Sequence, residues 1–400
     1  MRLRVRAAAL LVAVSLLLTG CWDRKEIEDV GFVMAIGLDK GQGGKIAVTM
    51  QLAIPRNIAV STTGAGGGGG GSAEKPPVLV ERVEAESIGE ALRDLETFTN
   101  RRISLMHTLV VVFGRELAEA GIQDHIGILT RFRQFRRGMM VMVAEGTATE
   151  ILASRPRLEE NPAIFLEDLT RRAHEKTARA PRTDLHHFLL PFETYGQESV
   201  MPIVRLKTAR PGLEHQPDQK PQLEGTAIFR GGTMIGELNP DESEIFLAMT
   251  GEARAFLETL PTSEAGNGKI VVEMTIENTR MRVNTVAGRV SVNLSIVTEA
   301  DLREIQGNVK GIVTDEGLRK LEDRLSRQLT ERANKLVRRL QTEFKTDNVG
   351  FGNAVRVRFI DWPSWEQYNW PKRFPDTPIQ VSIRTMIRRT GMTIQPMEIH

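Results

Sequence analysis

The chain of 400 residues contains one cysteine, two tyrosines and four tryptophans. A lone cysteine excludes an internal disulfide and any multi-thiolate metal site. Neither a Gly-x-Ser-x-Gly elbow nor a Gly-x-x-x-x-Gly-Lys-Ser/Thr loop occurs, which removes the commonest hydrolase and nucleotide signatures. Charge of one sign is also scarce, because the formal net charge is only +2. The first twenty residues hold Arg2, Arg4 and Arg6 and no acid; without them 50 basic residues face 51 acidic ones, about −1 over 380 residues. A nucleic-acid binder needs a clear positive excess, and none is present. What is abundant is ordinary globular material, 41% hydrophobic and 26% charged, which excludes wholesale disorder.

Long hydrophobic runs are missing as well. The longest, Ala7 to Leu18, is about a dozen residues, the length of a signal-peptide core and short of a spanning helix. It ends in Leu18-Thr19-Gly20-Cys21, small residues directly before the sole cysteine. That pattern resembles the bacterial lipobox, in which the thiol receives diacylglycerol and becomes the mature N-terminus. Residues 1–20 are therefore expected to be a lipoprotein signal peptide and Cys21 the lipidation site. With acylation at about 0.8 kcal/mol per buried CH₂, two chains hold a protein stably at a membrane.

Alternating strands and helices after Cys21 predict an α/β or α+β domain over 21–208. Val30–Leu38 and Lys45–Ile54 read as a hairpin across Asp39–Gly44. The glycine-rich stretch Gly64–Gly71 formally satisfies Gly-x-Gly-x-x-Gly, but no strand leads in and no helix opens from it, so it reads as a loop. A small middle domain is expected over 222–262, with a hairpin across Arg230-Gly231-Gly232 and a helix from Asp241 to Leu257. The portion 268–395 has the cleanest periodicity: Ile270 to Ile276, Val290 to Ile296, Val355 to Phe359 and Ile379 to Ile383 each alternate apolar and polar residues. Four such segments predict an antiparallel sheet. Between the second and third lies a long amphipathic helix striped by Leu318, Leu321, Leu325, Leu329, Leu336, Leu340 and Phe344. The fold class is thus multidomain α+β, ending in a sheet covered by that helix.

Candidate chemistry is sparse. His174-Glu175 begins like a zinc-protease motif but has Ala178 where the second histidine belongs. His186 and His187 are adjacent and chelate poorly together. Arg131-Phe132-Arg133-Gln134-Phe135-Arg136-Arg137 mixes base and aromatic, as an anionic-lipid or nucleic-acid patch does, or is a helix end with cations at the negative pole of its dipole. Trp362, Trp365, Tyr368, Trp370 and Phe374 either stack a ligand ring or form core, and burial is the commoner use of large aromatics. No catalytic, cofactor or metal residue is assigned.

Several motifs in chain order carry a resemblance. Cys21-Trp22-Asp23-Arg24-Lys25-Glu26-Ile27-Glu28 runs into Gly31 and Ile36-Gly37-Leu38-Asp39. Arg101-Arg102-Ile103-Ser104-Leu105-Met106-His107, Leu223-Glu224-Gly225-Thr226-Ala227-Ile228-Phe229 and Asn348-Val349-Gly350-Phe351-Gly352 follow. Trp365, Trp370 and Phe374 then lead to Arg388-Arg389-Thr390-Gly391. Together they resemble the Ger(x)C spore germination lipoproteins, the C subunits of nutrient germinant receptors. The resemblance implies a non-enzymatic subunit without cofactor, held through Cys21 on the outer face of the spore's inner membrane beside A and B membrane subunits. The Gly64–Gly71 tract departs from that pattern and reads as an inserted loop. Two rival classes are a solute-binding lipoprotein of a transporter, which needs two similar lobes, and a cell-wall hydrolase, which needs motifs that are missing.

Overall fold

The computed structural model describes residues 30–54, 78–99, 101–156, 159, 161–207, 220–261, 268–306, 312 and 314–389. Cys21 with its lipobox, the Gly64–Gly71 tract and Thr390-Gly391 lie outside them. Two sheets organise the rest, as expected of a multidomain α+β chain.

The large sheet has nine strands. Its centre is parallel: β1 (Val30–Lys40), β5 (Val110–Gly114), β6 (Met140–Ala144) and β7 (Val200–Lys207) lie side by side. On one flank β2 (Ile46–Ala53) and β3 (Val78–Ala85) add antiparallel, and the short β4 (Arg102–Ser104) pairs with the start of β1. The opposite flank is antiparallel too, formed by β8 (Lys220–Arg230) and β9 (Thr233–Leu238). The hairpin expected in a separate middle unit therefore extends this sheet.

Burial explains why β5 reads as an unbroken apolar run. Val111 and Phe113 pack with Ile88, Leu95 and Leu129 from α1 (Ile88–Phe98) and α3 (Gln123–Arg131). Val110 and Val112 face the other way, toward Ile151 and Leu166 from α4 (Ala148–Ala153) and α5 (Pro162–Lys176). A strand covered on both faces has no polar side to alternate with. The short α2 (Arg115–Ala120) and α6 (Leu185–Thr194) complete the first of these layers.

The second sheet runs β10 (Ala255–Pro261), β11 (Lys269–Val286), β12 (Arg289–Gln306) and β13 (Ile379–Arg389). Three corrections to the sequence expectations arise here. β12 and β13 pair parallel, because the long helix crosses between them, so the sheet is mixed. Val355–Phe359 is no strand: α9 (Phe351–Arg356) occupies its start, and Phe351 and Val355, one helical turn apart, are the buried pair while Val357 is exposed. The apolar alternation there coincided with a helical spacing. Finally, the helix from Asp241 stops early. It is α7 (Pro240–Thr250), ended by Gly251 in the left-handed region at φ 77°, and the residues beyond form β10.

The long helix α8 (Asp315–Arg339) begins at Thr314, whose hydroxyl accepts from Gly317 N, and continues through a π-turn at Leu340–Phe344. Its stripe is buried from Leu321 to Phe344 as the periodicity predicts, with Leu325 and Leu329 each 1% exposed and Leu318 half-buried at its start. Its adjacent polar side does something the stripe does not announce. Asn334 Oδ1, Thr330 Oγ1, Ser326 Oγ and Glu322 Oε1 accept from the backbone N–H groups of Val381, Ile383, Thr385 and Ile387 at 2.7–3.0 Å. α8 thus satisfies every second residue along the open side of β13, an edge that would otherwise be free to pair with another chain.

Candidate functional site

The most densely organised polar site lies where α8 hands over to α9. Lys345, at φ 51°, ends the helical stretch, and Gly350 at φ 92° turns the chain into α9. Between them, Asp347 is buried, and its carboxylate is shared among three donors. Gly350 N donates to Oδ1 at 2.8 Å, while Gly352 N and Trp370 Nε1 donate to Oδ2 at 2.7 and 3.0 Å. Burial pushes Asp347 up to about 6, against the pull of those donors, so it is ionised at neutral pH. This is an anion already saturated by its own chain.

The neighbouring residue crosses to the large sheet. Asn348 Nδ2 donates to Ser199 O at 2.9 Å and to Phe229 O at 3.1 Å, just before β7 and near the end of β8. Gln197 Nε2 donates to Asn348 O at 3.0 Å, and Asn353 Nδ2 donates to Gln197 Oε1 at 2.8 Å. Gly352 has to be glycine, since a Cβ there would collide with Gly196 O and with the Trp370 indole. Asn348-Val349-Gly350-Phe351-Gly352 is therefore the clasp that joins the second sheet to the first.

The aromatic group packs beneath this clasp. Trp365, in α10 (Trp362–Tyr368), is 0% exposed; Trp370, at the start of α11 (Trp370–Arg373), is 1% exposed, and Phe374 is 0% exposed. Trp365 stacks on Trp370 at 6.4 Å and on Tyr368 at 6.0 Å, and Phe351 stacks on Phe374 at 6.4 Å. These faces are covered by one another, so the group is core; Trp362 alone remains exposed, its Nε1 donating to Glu366 Oε1 at 2.6 Å.

Two further polar sites are structural in the same way. Asp39, at the end of β1, accepts from Ala148 N, Thr149 N and Thr149 Oγ1 at 2.7–3.0 Å and so holds the first turn of α4. A ladder of charge runs from Lys207 through Glu224, Arg179 and Glu244 to Arg332 and Glu258, linking β7, β8, α7, α8 and β10. In its middle Glu244 is raised to about 7, by burial first and by the Glu258 carboxylate second, against Arg179 and Arg332.

The remaining sequence candidates separate. His187 Nδ1 lies 2.8 Å from Asp184 Oδ1, and its ring meets His186 edge-on at 5.7 Å. Among the described residues no group of three or more His, Cys, Asp or Glu is placed to hold a metal ion. The basic segment is not a helix end as a whole: α3 stops at Arg131, and Arg133, Arg136 and Arg137 lie beyond it. Sequence reasoning missed Asp347, Asn348 and Glu244, because an acid or amide that will be buried looks like any surface one until its partners are known.

Two family models divide the chain between them. Residues 23–206 match the spore germination protein N-terminal domain, and residues 224–391 match the spore germination B3/GerAC-like C-terminal domain. The chain belongs to the Ger(x)C family of spore germination proteins. It is similar to spore germination protein KC of Bacillus subtilis (strain 168), 24% identical over 412 residues, covering 98% of this chain and 97% of that protein. Spore germination protein B3 of the same organism is 21% identical over 386 residues, covering 94% and 95%. The crystal structure of the GerBC protein superimposes with a TM-score of 0.52 at 17% identity, over 90% of this chain and 99% of that one, which shows a shared fold. In this Ger(x)C chain three of the motifs that carried the resemblance are fold devices: Asp39 secures α4, Gly225 turns at φ 99° within β8, and Asn348–Gly352 forms the clasp.

Proposed function

We propose that this chain is a lipid-anchored, non-enzymatic subunit of a spore nutrient germinant receptor, needed for nutrient-triggered germination and acting through contacts with A and B membrane subunits. The observation that carries the reading is a family match running through both halves of the chain, behind a leader that ends in Leu18-Thr19-Gly20-Cys21. Cys21 is the proposed diacylglyceryl site, on the outer face of the spore's inner membrane. No helix among the described residues is long and apolar enough to cross a membrane; attachment is assigned to the lipid on the Leu18-Thr19-Gly20-Cys21 pattern. Val30 lies nine positions after Cys21, a reach of at most about 30 Å. The anchor therefore holds the folded body close to the bilayer.

A scaffolding role is favoured over direct nutrient sensing. The aromatic group that would line a ring-binding pocket is packed against itself, and the buried carboxylate of Asp347 is spent on its own backbone and Trp370. The domain limits proposed for the mature chain remain 21–208 and 268–395, with 222–262 as the segment shared between the two sheets. The experiment is mass spectrometry of the mature N-terminus of protein purified from membranes, followed by affinity isolation from spores. A diacylglyceryl-modified Cys21 and co-isolation of two integral membrane subunits are expected. An unmodified Cys21 in membrane-purified protein overturns the anchor, and isolation without either subunit overturns the receptor assignment.

A further inference from the structure

The basic segment singled out in the sequence has a definite place in the fold. Four arginines stand exposed here, Arg131 at the end of α3 and Arg133, Arg136 and Arg137 on the turn to β6, together with Phe132, 40% exposed. Among the described residues no hydrogen bond or ion pair holds any of the four guanidiniums. The backbone carrying them is fixed: Phe135 is buried, Met139 N donates to Arg136 O at 3.2 Å, and His186 N donates to Arg137 O at 2.9 Å. A cluster of like charges on a fixed backbone, with no counter-charge bonded to it among the described residues, is not accounted for by fold stability.

A second loop stands beside it. Leu105 N donates to Gln134 Oε1 at 2.9 Å, which ties the loop carrying Met106, 53% exposed, to the arginine turn. This loop follows β4, whose first residue Arg102 is the strand partner of Val30 and is preceded by Arg101. His107 meets Phe32 edge-on at 4.9 Å. Both loops therefore lie at the end of the large sheet where β1 starts, the end at which the chain arrives from Cys21. No acid occurs from residue 97 to 114 or from 125 to 144. Of the described carboxylates on adjoining segments, Glu96 accepts from Ile103 N, and Asp184 caps α6; Asp23, Glu26, Glu28 and Asp29 precede Val30 in the sequence and lie outside the described residues.

We propose that this end of the large sheet is a second membrane contact, in which the arginine turn and the Met106 loop lie on an anionic phospholipid surface. The inference rests on the lipid-anchor reading for its geometry, because Val30 stands within about 30 Å of Cys21. Guanidinium forks match phosphate oxygens, and their stems let the charge stay at headgroup level while Phe132 and Met106 enter the apolar boundary. Exposed apolar side chains on neighbouring arginine-bearing loops fit a deformable bilayer better than a protein groove. The contact would fix which face of the body meets the membrane, something a flexible tether alone leaves open.

The test uses the full acylated chain reconstituted in vesicles. Met106→Cys supplies a free thiol for a fluorophore, the native cysteine being consumed by the anchor. In vesicles with about a third phosphatidylglycerol, shallow spin-labelled lipid should quench the label and aqueous iodide should not; in pure phosphatidylcholine the order should reverse. Each surface arginine contributes about fivefold to such partition, so replacing all four by glutamine should lower the contact several hundredfold. Thermal unfolding should be unchanged, since the four side chains have no partner among the described residues. A chain that stays with the vesicles while the label remains open to iodide overturns this inference and leaves the anchor intact. Equal quenching in both vesicle types overturns the anionic assignment. Shielding that appears only when the other receptor subunits are present gives the face to a protein partner and overturns the lipid reading. A chain that sediments with neither vesicle overturns the anchor and this contact together.

Discussion

Replacing Asp347 by alanine tests whether the clasp is held as described. The substitution leaves three buried N–H groups, those of Gly350, Gly352 and the Trp370 indole, without an acceptor. At roughly 1–3 kcal/mol per orphaned donor the gross cost is about 6 kcal/mol. Against it stands relief from burying a charge. Moving the carboxyl from 3.8 to about 6 corresponds to about 3 kcal/mol at about 1.36 kcal/mol per pKa unit. The net expectation at pH 7 is a loss of about 3 kcal/mol, a large share of an ordinary domain's stability. Because the folded pKa lies above the unfolded one, Asp347 contributes most below pH 3.8, and that contribution falls as pH rises to about 6. Urea unfolding of wild type and Asp347→Ala from pH 4 to 7 measures both effects. The gap between the two proteins should be widest at the acid end and narrow toward neutrality. A mutant within about 0.5 kcal/mol of wild type throughout would refute the reasoning.

Other expectations follow from the same contacts. Leu325→Asp removes a leucine that is 1% exposed and buries an unpaired charge, which should exceed the stability of the second sheet and unfold it. Wild-type thermal unfolding of that variant would show the stripe of α8 to be a partner surface. Glu244 is raised from 4.5 to about 7, so its contribution is complete below pH 4.5 and is lost as pH rises to about 7. Glu244→Gln should flatten the stability profile in that window by about 3 kcal/mol, and an unchanged slope in unfolding experiments from pH 4.5 to 7.5 would remove Glu244 as the titrating group.

How much was legible in the sequence depended on where each residue's partners lay. The stripe of α8 and the alternation of β11 and β12 were readable because their signal is local and periodic. The parallel β12–β13 pair was not, since strand direction is set by a crossover and leaves no mark in alternation. Val355–Phe359 misled because its period of 2 masked the pairing of Val355 with Phe351 one helical turn earlier, in α9, which ends at Arg356. Cores that recruit distant strands are equally silent: nothing in Lys220–Leu238 says that its hairpin joins the first sheet. The aromatic cluster was correctly weighted toward core, whereas Asp347 and Asn348 were invisible as a clasp because their partners lie in sequence up to 151 residues away.

The claim that this Ger(x)C chain is a receptor subunit working at a membrane is tested most directly in spores. The gene is deleted, and wild type or Cys21→Ala is returned at the same locus, with germination scored against the nutrient its receptor answers and against a trigger that bypasses nutrients. The account predicts that the deletion abolishes the nutrient response alone, that wild type restores it, and that Cys21→Ala restores it poorly while losing membrane attachment. Normal nutrient germination without the gene, or equal loss of germination under both triggers, would contradict it.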